Sequence, residues 1–233
     1  MKRVFPNPTV DLVQEKCREF DQDLETRLTE DTVRLLWETF PQNDKLPHVV
    51  LKVLVLNRLY NTRINDVDVT PLAKHIATSG VDSLLMNRSL LAVETICECP
   101  GLKRYFSFAT KFCSLHYPTA YPIYDWNVNE CLWSYQQEDK FADPTFHRQD
   151  LSRYATFYRV MSAFRSFYGL DRFSFKEIDK FLWLQGAPWR RRTPRHSKRP
   201  SHVHRTHRPH HRRILRPILP TAIRAIIPTG VRQ

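Results

Sequence analysis

The chain is 233 residues long with a formal charge of +12, but the whole of that excess lies at one end. Residues 187–233 hold thirteen Lys and Arg and no Asp or Glu, whereas residues 1–186 hold twenty-three against twenty-four acids, a net of −1. The first part therefore has no generic attraction to nucleic acid and needs a local patch to bind it, and no apolar run approaches the ~18–20 residues of a membrane span, so no membrane partner is expected.

The opening residues do not form a charged-then-apolar secretory leader. Thr9 is placed to cap a first helix whose apolar positions Val10, Val13, Cys17, Phe20 and Leu24 are spaced by three and four. A second helix carries Val33, Leu36, Trp37 and Phe40 and stops at Pro41. Pro47 opens a segment in which Lys52 is the one polar residue between Val49 and Leu56. No other strand pattern exists to pair with it, so it reads as a helix buried on most sides, the central post of an all-α domain. It ends in a polar cluster that includes Asn57, Asn61, Thr62 and Arg63, which also reads as the solvated rim of a buried helix. Thr70-Pro71 has the form of an N-cap followed by proline at the first helical position, opening a helix that closes at Gly80. Residues 81–98 are helical in pattern, in two pieces, and Pro100-Gly101 breaks them.

A further helix ends near His116, because Pro118 and Pro122 forbid its continuation. After the extended piece Tyr121-Pro122-Ile123-Tyr124, Asp125 stands where the N-cap of the next helix belongs, facing unpaired N–H groups and the positive end of the helix dipole. Asp150 is expected to cap a long helix with Tyr154, Phe157, Met161 and Phe164 inward and Gly169 closing it. Ser174 and Glu177 fit a capping box, and the last helix is expected to stop before Gly186. Two regions follow: an all-helical domain over 1–186 and an Arg/His/Pro-rich tail over 187–233, expected to be disordered because it cannot bury enough apolar surface. The tail reads as a basic arm with non-specific phosphate affinity, as an adventitious histidine metal binder, or as an appendage without a selected role, such as out-of-frame translation.

Cys97, Cys99, Cys113 and His116 are the one Cys/His cluster of the first part. C-x-C on a helix sends its sulfurs to nearly opposite sides, unlike the C-x-x-C knuckle of zinc sites, so these read as buried thiols and neither metal nor cofactor is expected. Five cysteines, odd in number and without framework spacing, suit a reducing, cytoplasmic setting. P-loop, dinucleotide-binding and nucleophile-elbow motifs are absent from the sequence.

The stretch P-I-Y-D-W-N-V-N-E-C-L over residues 122–132, with Ser107 and Ala109 upstream, resembles the signature of the helix-hairpin-helix DNA glycosylase superfamily. It is most similar to the monofunctional adenine glycosylase branch. The resemblance implies that Asp125 is the catalytic carboxylate and that Asn127 and Ser107 shape the base pocket. Ser107 stands where the bifunctional lyases carry a nucleophilic Lys, which implies no lyase activity. Leu59-Tyr60-Asn61-Thr62-Arg63-Ile64 is similar to the family's polar turn, implying that Tyr60, Asn61 and Thr62 face DNA and share a cleft with Asp125. Cys99-Pro100-Gly101-Leu102-Lys103 resembles the hairpin, with Lys103 in place of its second glycine, and Leu56 stands where the adenine-specific branch carries a catalytic Glu. DNA is the partner so implied. Two readings stand: a DNA N-glycosylase, or a non-catalytic helical scaffold for nucleic acid or protein in which Asp125 only caps a helix.

Overall fold

The computed structural model describes residues 4–192, and in them every regular element is a helix. Chain order is α1 (Val10–Gln22), α2 (Leu24–Thr39), α3 (Leu46–Tyr60), α4 (Asp66–Thr78), α5 (Val81–Met86), α6 (Leu91–Cys97), α7 (Phe106–His116), α8 (Trp126–Asp139), a 3-10 turn (Arg148–Ser152), α9 (Tyr154–Phe167) and α10 (Phe175–Arg192). The caps are where the side chains place them: Thr9 accepts from the Leu12 N–H, Asp23 from Thr26 and Asp125 from Asn127. Ser174 and Glu177 close the capping box at the head of α10, and Gly80 and Gly169, both left-handed, follow α4 and α9. These residues lie in one compact unit, Met1–Pro194; the three readings of the basic tail fall outside the described residues.

Four expectations are corrected. The central post is α7, not α3: eight of the eleven α7 residues are buried, whereas α3 turns Leu51, Leu54 and Leu59 to solvent and buries Val49, Lys52, Val53 and Leu56. An apolar residue is free to lie outside, so hydropathy alone did not assign the post. Helix α4 begins at Asp66, a turn earlier than Thr70, and takes Pro71 inside it. The carbonyl that Pro71 leaves without its helical partner is that of Val67, a residue exposed to solvent. Asp150 caps the 3-10 turn, with its side chain on the His147 N–H, and α9 starts only at Tyr154. Finally, α10 does not stop at Gly186 but runs to Arg192. Gly186 is required by packing: a Cβ there would lie 2.7 Å from the Asn127 Cβ and 2.8 Å from its carbonyl oxygen, so α8 and α10 touch backbone to side chain.

The core is aromatic. Tyr121, Tyr135, Tyr154, Phe108, Phe112, Phe157, Phe164 and Phe181 are fully buried, with edge-on and tilted pairs such as Trp37–Phe112 and Tyr135–Phe164, each with ring centroids 5.4 Å apart. Inside it lies a polar centre on Lys52. Buried Lys52 lies 5.1 Å from the centre of the Trp37 ring and donates to Asn43 Oδ1 at 2.8 Å; Asn43 in turn donates to Asp82 and contacts His116 Nε2 at 3.2 Å. Burial and the Lys52 charge push the His116 imidazole down to about 3.

Two outcomes are expected. Gly186→Ala places a methyl group against the α8 backbone, and overpacking of this kind costs ~1–3 kcal/mol, read as a Tm several degrees lower. For His116, the unfolded chain binds the extra proton between pH 6.5 and about 3, so the stability it contributes is complete above 6.5 and lost as pH falls through that window. Denaturant titrations should show a shallower acid slope for His116→Gln than for the wild type over that window.

Candidate functional site

Helix α7 stops where Pro118 and the following turn end it, and the returning segment is tied to its neighbours. The Tyr124 N–H donates to Thr110 Oγ1 at 3.1 Å, the Tyr121 hydroxyl donates to the Ser89 carbonyl at 3.0 Å, and the Tyr154 hydroxyl donates to the Pro122 carbonyl at 3.2 Å. Those bonds deliver Asp125 to the head of α8. Its Oδ1 accepts from the Asn127 N–H at 2.9 Å, while its Oδ2 lies 3.8 Å from Lys111 Nζ and the side chain remains 26% exposed. Lys111 is buried and one turn beyond Ser107 on α7, so the two share a helix face. The ammonium donates to Ser107 Oγ at 2.8 Å and reaches the Tyr124 carbonyl at 3.5 Å.

A second carboxyl lies on α10. Asp179 of α10 is buried, and its Oδ1 has no hydrogen-bond partner. Burial pushes it up to about 7, against the pull of Lys176 and Lys111 and with the repulsion of Asp125 and Glu30. Burial likewise lowers Lys111, which the charges of Asp125 and Asp179 oppose. The Tyr60 phenol is raised, first by burial and then by Glu30 and Asp179, and Glu30 is held by Lys176 at 2.5 Å. Direct contacts join Lys111, Ser107, Tyr124 and Asp125 in one group and Glu30 with Lys176 and Lys180 in another.

The expected site residues divide. Asp125 and Ser107 meet through Lys111, while Tyr60, half-buried at the end of α3, makes no hydrogen bond to any of the three among the described residues. Asn127 is turned away, fully buried between α8 and α10, with its Nδ2 3.5 Å from the Trp183 carbonyl. Asn61 is the left-handed C-cap of α3, and Arg63 two residues on is also left-handed, an unusual density of non-glycine positive φ. Thr62 bonds to Asn57 Oδ1 at 3.0 Å, and Asn57 also clamps the Ile64 N–H and carbonyl, so the turn is held from within. Lys103 is exposed in the connection between α6 and α7, over the Tyr105 ring and two residues after left-handed Gly101.

Three participants escaped the sequence reading. Lys111 had a signal, its four-residue spacing from Ser107. Trp126, 40% exposed beside Asp125, stood in the motif itself. Asp179 had none, because an acid between lysines on a helix reads as a solvated face. Among the described residues no group of three or more His, Cys, Asp or Glu is arranged to hold a metal ion. The cysteines are free; burial raises the Cys97 thiol to about 12 and that of Cys113 well above its ordinary value. No helix among the described residues is long and apolar enough to cross a membrane.

A family model described as an N-terminal domain, HI_0787_N, matches residues 12–120, which reach from α1 to just short of Asp125. The chain is similar to an uncharacterized protein of Haemophilus influenzae, 37% identical over 142 residues, 59% of this chain and 66% of that protein. The chain thus spans just under two thirds of that relative's length. No solved structure matches the chain.

As a cap, Asp125 has a defined worth. Asp125→Ala removes the acceptor of the Asn127 N–H and should cost ~0.5–2 kcal/mol, while Asp125→Asn keeps an acceptor oxygen and should cost less. Denaturant midpoints of the two variants beside the wild type check the order.

Proposed function

We propose that this chain is a cytoplasmic DNA-binding protein of the glycosylase type, hydrolysing the N-glycosidic bond of an extruded base with Asp125 as the carboxylate that faces the sugar. One observation carries the reading. Asp125 uses a single oxygen as the helix cap and holds the other, partly exposed, at the rim of a buried cluster containing Lys111 and Ser107. Capping requires neither the second oxygen nor a lysine inside the protein, and burying an ammonium is costly unless it is paired. The resemblance over residues 122–132 names the same carboxylate.

In this mechanism the nucleotide leaves the stack, which an enzyme must arrange before it reaches the bond to the base. Positive charge develops on the sugar as that bond breaks, and the fixed Asp125 carboxylate stabilises it without reorganisation. Trp126, exposed beside Asp125, offers an aromatic face on which an unpaired base stacks. Lys103, in the Pro100–Lys103 turn, and Arg63, in the turn after α3, are exposed cations suited to phosphates. The product is an abasic site with the strand intact.

A second reading has its own observation. Leu24, Leu28 and Leu35 are exposed at helical spacing on α2, a stripe that suits a scaffold binding a protein partner. The experiment that separates the two is abasic-site formation on oligonucleotides bearing damaged or mismatched bases. Wild type should be active, and Asp125→Asn, folded by circular dichroism, should lose several powers of ten in rate, a scale usual for preorganised electrostatic sites. No activity in either protein across the panel favours the scaffold; equal activity in both removes Asp125 from the chemistry.

A further inference from the structure

Helices α1 and α10 pack on each other and leave an open cavity of about 380 Å³ at the head of α10, lined by Gln14, Cys17, Arg18, Arg172, Phe173 and Glu177. That volume lies within the ~300–1,000 Å³ of small-molecule sites. The lining shares no residue with the Asp125 group. We propose that this cavity binds a small phosphate monoester, its phosphate held between Arg18 and Arg172. The site is independent of the glycosylase reading.

Both arginines are exposed, and among the described residues neither makes an ion pair or a hydrogen bond. The acids near them in sequence are engaged elsewhere. Glu15 and Glu19 on α1 lie 3.9 and 2.5 Å from Lys16, and Asp21 holds Lys180 at 2.5 Å. Asp171, next to Arg172, accepts from the Ser166 hydroxyl at 3.0 Å. Glu177 is the one acid in the lining, and its Oε2 accepts from the Ser174 N–H and hydroxyl at 2.7 and 2.8 Å. Two guanidinium groups against that carboxylate leave the lining at +1, in a region, residues 1–186, whose overall charge is −1. A guanidinium fork meets two phosphate oxygens at once, which a point cation does not.

The walls are held in place by the fold. The Cys17 thiol donates to the Glu177 carbonyl at 3.6 Å, tying α1 to α10, and the Ser174–Glu177 capping box fixes the first turn of α10. The turn that carries Arg172 is held by Arg165, which donates to the Asp171 carbonyl at 2.8 Å, and by the Ser166–Asp171 bond. The Arg172 guanidinium lies 5.0 Å from the centre of the Phe173 ring, a contact that orients it. Walls fixed in this way lower the ordering cost of binding. Phe173 and Cys17 give the cavity an apolar part, which bare phosphate would leave unfilled and the flat apolar group of an ester covers.

Cys17 reports on the cavity, because it is the one cysteine of the five that is not buried. The experiment measures alkylation of Cys17 in the full chain by a maleimide, located by peptide mass spectrometry, with phenyl phosphate, inorganic phosphate or benzoate present at constant ionic strength. A readout inside the cavity is needed because the Arg-rich residues 187–233 also attract phosphate. Phenyl phosphate should protect Cys17, and inorganic phosphate should need about tenfold more, the factor that burial of the ring supplies. Arg18→Gln and Arg172→Gln should each raise the half-protecting concentration at least ~10-fold through the loss of charge-assisted bonds. Arg27→Gln, exposed on α2 and outside the lining, should leave it unchanged. Benzoate as effective as phenyl phosphate overturns the phosphate assignment, and protection that survives both arginine substitutions overturns their role. No protection by any of the three overturns the site and leaves the glycosylase reading untouched.

Discussion

The Lys111 ammonium sits in the interior of a helix that is itself inside the protein, and the surrounding chain is arranged to accept it. Its carrier, α7, has little contact with solvent, so the charge must be met by oxygen atoms brought from elsewhere. Ser107 supplies a hydroxyl from one turn back, Tyr124 a backbone carbonyl from the returning segment, and Asp125 a carboxylate from the head of α8. That requirement fixes the path between α7 and α8. It also explains why Asp125 is held so firmly: the cap bond and the approach of Lys111 act on different oxygens of one carboxylate.

Among the described residues two lysines, Lys52 and Lys111, are buried, and their surroundings differ. Lys52 is met by Asn43, which is in turn bonded to Asp82 and in contact with His116, all between the Trp37 and Phe112 rings. In that network Lys52, Asn43 and Asp82 find partners in one another, while the buried Trp37 Nε1 beside them has none. The Lys111 cluster does not close in the same way. Asp179 keeps an oxygen without a partner, the Asp125 carboxylate is partly exposed, and Trp126 stands open beside it.

The contact between α8 and α10 joins these features. Gly186 lets α10 settle against Asn127, and the same pair of helices is tied further by Asn127 to the Trp183 carbonyl and Cys131 to the Leu182 carbonyl. A larger residue at 186 would hold the two helices apart.

The sequence by itself determined what short-range chemistry controls. The helical class, the break at Pro118 and Pro122, the caps at Thr9, Asp125 and Ser174, and the left-handed stops at Gly80 and Gly169 all follow from neighbours within a few residues. Asp125 was legible for that reason, since its cap bond reaches only two residues along the chain. Tertiary structure decided the rest. Which apolar helix became the post depended on what packed around it, so α7 took the place that the hydropathy of α3 had suggested. Gly186 looked like a stop because glycine permits one, and the neighbouring α8 made it a contact instead. Asp179 gave no sequence signal at all, because a carboxyl's burial and its distance from another helix's lysine are properties of the assembled fold, and 68 residues of chain separate it from Lys111.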